Sequence, residues 1–125
     1  MRVLILSLIV LSAALNPALA ASATIAGSWS GPGTVSHRGN ADDVRCRARF
    51  TKVGGASFAV SSQCATDTGR YDVSGRVSAS GGNRYSGWVE TNGQRGSIVI
   101  IQSGNRLSVT VTSRKGSGRL SLSRN

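Results

Sequence analysis

The residues best suited to chemistry in this chain are few, and most stand in patterns that do not assemble a reaction centre. His37 is the only histidine, close to Asp42 and Asp43 and to many serines. A Ser-His-Asp set needs a nucleophile held on a strained turn, yet no Gly-x-Ser-x-Gly elbow is present. Asp42 and Asp43 are sequence neighbours, so on an extended strand they point to opposite faces and do not work as an acid-base pair. Two cysteines and one histidine fall short of a four-ligand zinc site. No phosphate-binding loop or dinucleotide fingerprint occurs. These readings exclude the common enzyme classes, and the expectation is a protein that is not an enzyme and carries no metal or cofactor.

The arginines form a different pattern. Arg45, Arg47 and Arg49 alternate with Val44, Cys46, Ala48 and Phe50. On a strand this places three guanidinium groups in a row on one face, about 7 Å apart, with the apolar set on the other. Such a row repels itself unless an anion lies across it, and guanidinium forks suit phosphate and sulfate. Arg38, Lys52, Arg70 and Arg76 extend the patch if the neighbouring strands pair with this one. Trp88 is the second candidate contact. It is out of phase with Tyr85, Gly87 and Val89, so it is exposed if those three face inward and buried if the phase is reversed. An exposed Trp near arginines anchors a protein or a sugar ring.

The elements that position these residues are short strands. Stretches of alternating polarity are separated by Gly39-Asn40, Gly54-Gly55, Gly81-Gly82-Asn83, Asn92-Gly93, Gly104-Asn105 and Gly116, residues that accept turn conformations. The pattern predicts eight strands, at 25–36, 44–53, 57–66, 70–79, 84–92, 95–102, 106–113 and 117–124. Strand 95–102 does not alternate across Ile98–Ile101, which suits either a segment covered on both sides or a β-bulge. Pairing Cys46 with Cys64 centres a hairpin on Gly55, sets Phe50 opposite Val60 and Ala48 opposite Ser62, and leaves the three arginines facing Ser61, Gln63 and Ala65. Turn chemistry, polarity and cysteine spacing all select that one register. The fold class is therefore all-β: an antiparallel up-and-down barrel of about eight strands, with a two-sheet β-sandwich as the alternative and one hairpin disulfide, Cys46–Cys64. Low aromatic content and many small inward residues predict a narrow, filled interior.

The ends and totals set the context. Met1-Arg2, the apolar run Val3–Leu15 and Ala18-Leu19-Ala20 form a secretory signal peptide. The run is shorter than the roughly 20 residues of a spanning helix, and no later stretch has that length. Residues 1–20 are thus the signal peptide and 21–125 a single barrel domain, in the periplasm or secreted, where two cysteines form a disulfide. Removing Arg2 from 15 basic residues leaves 14 against 5 acidic ones, a charge of about +9. That balance suits an anionic glycan, lipopolysaccharide or an acidic protein, or it serves solubility alone. Few aromatics are available for base stacking, which disfavours nucleic acid.

The opening Ala26-Gly27-Ser28-Trp29 is similar to the Gly-x-Trp start of lipocalin-like and avidin-like barrels. In lipocalins an arginine of the last strand packs over that Trp, and the resemblance implies this role for Arg119. With the Cys46–Cys64 hairpin, the chain resembles the periplasmic metalloprotease inhibitors of Gram-negative bacteria. That likeness implies a hydrolase partner and an inhibitory trunk at residues 21–26. The composition also looks like that of small exported proteins of alphaproteobacterial type, which implies no activity. The leading expectation is a non-enzymatic binding protein using Arg45, Arg47 and Arg49, with Trp88, on an anionic envelope component or acidic protein. The alternative is an inhibitor of a secreted or host hydrolase, either protease or lysozyme.

Overall fold

A computed structural model describes residues 24–125. The expected signal peptide at 1–20 and the first part of the expected trunk at 21–26 lie outside the described residues. Eight antiparallel strands run β1 Gly27–His37, β2 Asn40–Gly54, β3 Ser57–Thr66, β4 Gly69–Gly81, β5 Arg84–Thr91, β6 Gln94–Ser103, β7 Arg106–Ser113 and β8 Gly116–Arg124. Each pairs with the next, and β8 returns to β1 to close the barrel. All eight strands expected from the alternation are present, and the open sandwich is not formed. Closure leaves no sheet edge without a partner strand.

The turns follow their residues. Asn92-Gly93 joins β5 to β6 with both φ values positive, 48° and 78°. This is the two-residue loop whose twist matches that of paired strands. The β2–β3 register is the one that the cysteines demand: Cys46 faces Cys64, Phe50 faces Val60, and Arg45, Arg47 and Arg49 face Ala65, Gln63 and Ser61. The disulfide closes across this ladder with a Cα separation of 4.1 Å. Strand β6 resolves the other ambiguity. Ile98, Ile100 and Gln102 are buried inside while Val99 and Ile101 are half-covered outside, and the β5–β6 and β6–β7 ladders run without a bulge.

Two seams bend more tightly than the rest. At β4–β5, a Cβ on Gly75 would fall on the Trp88 carbonyl oxygen and one on Gly87 on that of Arg76. At β1–β8, Gly31 and Gly33 are likewise pressed against the carbonyls of Ser121 and Arg119. The seams lie four strands apart around the barrel, so glycine makes two opposed corners where backbones close in.

One end of the barrel is plugged. Trp29 and Ile25 are fully buried there, and the Trp29 indole N–H donates to the Ile25 carbonyl at 2.9 Å. An arginine of the last strand does cover Trp29, but it is Arg124, with its guanidinium carbon 4.2 Å from the ring centroid. Arg119 cannot do so, because it shares the outward phase of Ser117 and Ser121 and pairs with Thr34 on the surface. Arg124 also donates to the carbonyls of Ala26 and Thr24, at 3.0 and 2.9 Å. Thr24–Ala26 is thus docked into the base rather than projecting from it.

Candidate functional site

The outer wall of β2 carries Arg45, Arg47 and Arg49, all exposed, while Val44, Cys46, Ala48 and Phe50 between them are buried. The ladders carry the basic face onward. Ala65, opposite Arg45, faces Arg70 on β4, and Ala59 on β3 faces Arg76. The field is interrupted by Asp43, one step along β2 in the same outward phase, and by Asp72, opposite Gln63. Even so, among the described residues the one ion pair formed is Arg95–Glu90 at 3.5 Å. Among the described residues none of the three β2 arginines is in an ion pair, and all three are exposed.

Trp88 stands on the same outer surface. Tyr85 and Val89 are buried and Trp88 is 37% exposed, which decides the phase of β5. It faces Arg76 across β4–β5 and Ser97 across β5–β6. The Arg95 guanidinium stacks 4.1 Å from its ring centroid, an arrangement favoured by the negative face of the indole ring. Trp88 and the β2 arginines are not brought together. They lie three strands apart, about 14 Å at the usual strand spacing, with Arg70 and Arg76 on β4 between them.

The interior differs from expectation. A cavity of about 430 Å³ opens at the end opposite Trp29. Its walls are Val35, Val44, Cys46, Ala48, Val60, Ser62, Cys64, Tyr71, Val73, Val111 and Leu120, and its floor includes Phe50, Val89, Ile98, Val109 and Leu122. Small inward residues leave space here instead of filling it. Eight strands set a minimum barrel width, and Val, Ala, Ser and Cys do not reach the axis. Large side chains (Trp29, Phe58, Tyr85, Leu107) are gathered at the plugged end, where Phe58 and Tyr85 stack edge to face at 5.8 Å between centroids. The volume lies within the range usual for small-molecule sites, 300–1,000 Å³.

The lining is apolar with a polar rim of Ser36, His37, Asn92, Gln94 and Lys115. His37 therefore sits at the mouth, and no metal-ligating cluster of His, Cys, Asp or Glu occurs among the described residues. Tyr71, half-buried in the wall, has its hydroxyl pushed above its ordinary pKa of 10.0 by that burial. The sequence placed Tyr71 among the inward residues of its strand but assigned no site role to Tyr71 or Lys115, and it predicted no cavity. The signal was available in the run of small inward residues, but its meaning depends on barrel width, which one strand does not disclose.

No protein-family model matches the chain, and no curated protein matches it. Solved structures do. A de novo designed fluorescence-activating β-barrel superposes with a TM-score of 0.66 at 12% identity, covering 84% of this chain and 97% of that one. The redesigned barrel mFAP1, bound to DFHBI, gives 0.68 at 12% identity, with 80% and 94% covered. Rv2717c from M. tuberculosis gives 0.58 at 14% identity, with 90% and 99% covered. At such identities the likeness establishes the eight-stranded antiparallel barrel and nothing about activity.

Proposed function

We propose that this protein is a non-enzymatic, exported binding protein that engages an anionic envelope component through the outer face of β2 to β4. The observation that carries the reading is the exposed row Arg45, Arg47 and Arg49, free of any ion-pair partner among the described residues. Guanidinium groups held unpaired on a rigid ladder keep their forks available for phosphate, sulfate or carboxylate. Arg70 and Arg76 widen the face, and Trp88 at its far edge offers a ring for a sugar. A linear anionic glycan, lipopolysaccharide among them, matches a face that is long, shallow and positive; an acidic protein surface presents the same charge. The disulfide fits an oxidising compartment, periplasmic or extracellular.

The test is titration of the domain with lipopolysaccharide and with heparin, from low to about 0.15 M salt. Binding is expected to survive at the higher salt, to fall with a log-log slope set by the number of anions contacted, and to drop about tenfold or more in Arg47→Glu. Equal loss for any single charge reversal on the surface would reduce the face to general basicity.

A second reading, an inhibitor of a secreted hydrolase in the manner of the periplasmic metalloprotease inhibitors, draws support from the Arg124–Trp29 stack that closes the base. It has to be reconciled with Thr24–Ala26, where Arg124 holds the carbonyls of Thr24 and Ala26 and Trp29 holds that of Ile25. In that reading, trimming residues 21–25 abolishes inhibition of a protease or lysozyme panel. In the arginine-face reading, polyanion binding is indifferent to the same trimming.

A further inference from the structure

The cavity inside the barrel is separate from the arginine face, and its chemistry is different. Its lining is almost wholly apolar for its full depth. Val44 to Phe50 line it along β2, six residue steps or about 20 Å of strand. At the roughly 40° tilt of barrel strands this is about 15 Å of depth, close to the length of an extended dodecyl chain. The floor is sealed by the side chains above Trp29, so the cavity has one mouth and an occupant enters end-on.

Fixed charge in the lining is of one sign. Lys115 is the one lining side chain of fixed charge among the described residues, and no carboxylate lines the cavity. Lys115 and Arg114 form the β7–β8 turn, while His37 and Arg38 end β1 and begin its turn into β2. These two turns lie side by side: Ser36 pairs with Ser117, and Gly116 packs against His37. Of the charged residues at this lip Lys115 alone lines the cavity; Arg38, Arg114 and Asp42, which pairs with Val35, stand just outside the lining. An apolar shaft favours a hydrocarbon chain, and burying a charge within it is costly. A charged group therefore has to stay at the rim, where Lys115 favours an anion.

We infer that the barrel holds a single-chain amphiphile with an anionic head, its alkyl tail in the shaft between Val44 and Ile98 and its head against Lys115 and Arg114. Laurate is the simplest member of this class and serves as the probe.

The experiment uses displacement of a dansylated undecanoate by laurate, dodecanol and dodecyltrimethylammonium at about 0.15 M salt. Laurate is expected to bind at least about tenfold more tightly than the ammonium amphiphile. The double variant Arg114→Glu/Lys115→Glu weakens laurate about tenfold and dodecanol by less than about twofold. Arg106→Glu, a single charge reversal at the plugged end, leaves laurate unchanged. Ser62→Phe fills the shaft and abolishes binding of all three. As a readout independent of that variant's folding, laurate shifts the methyl resonances of Ile98, Val109 and Val111 in the wild-type protein. Absence of displacement, equal affinity for the three heads, or shifts confined to outward-facing residues would overturn the inference. None of these outcomes depends on whether the β2 arginines bind a polyanion.

Discussion

At the scale of single residues, position in the barrel wall decides what each group can do. Arg45, Arg47 and Arg49 alternate with buried neighbours, and this two-residue period was readable from the sequence because only one face of the strand is apolar. The facing of Trp88 was not readable, because β5 carries Ser86, Gly87 and Glu90 around it and neither phase is clearly apolar. The buried Tyr85 and Val89 settle it. Tyr71 gives a test at this scale. Burial disfavours its phenolate, so its folded pKa is raised above 10.0. The folded state then holds that proton longer than the unfolded chain, and stability falls as pH rises from the unfolded value through the folded one. The absorbance titration difference between wild type and Tyr71→Phe should be centred above pH 10, and wild type should lose stability in that range more steeply than the variant.

At the scale of elements, hairpins and corners were legible to different degrees. The β2–β3 register followed from cysteine spacing and the Gly54-Gly55 turn, because a one-residue slip would carry every arginine inward. The corners needed the closed sheet. Alternate glycines in β1 hint at a bend, but only the ladders show that Gly75 and Gly87 oppose carbonyls across the β4–β5 seam. The resemblance assigned the cover of Trp29 to Arg119, and the phase of β8 gives it to Arg124. Gly87→Val should therefore cost about 3 kcal/mol or more by chemical denaturation, since backbone must move. Gly39→Asn, at an open turn with φ of 79° and nothing near its Cβ position, should cost under about 1 kcal/mol.

At the scale of the whole molecule, the disulfide and the cavity oppose one another. A shaft of about 430 Å³ leaves wall residues without packing partners on their inner side, and the domain has few large side chains to compensate. Cys46–Cys64 closes 18 residues of chain across that wall, stabilising by about 3 kcal/mol in the chain-entropy treatment. Replacing both cysteines by alanine should lower stability by about that amount, a large share of a small domain's total. The loss should be clear in thermal unfolding of the oxidised protein beside the variant.

The amino-acid sequence by itself determined the eight strands, their turns, the hairpin register and the arginine row. All of these rest on contacts between residues close in the chain and on a period of two that each strand carries alone. Tertiary structure alone decided which glycines sit at corners, which arginine covers Trp29, which way Trp88 points and whether the interior is full or hollow. Those outcomes depend on closure. Strand number and tilt set the width of the barrel, and a side chain that would fill the space between two packed sheets falls short of the axis of a closed one.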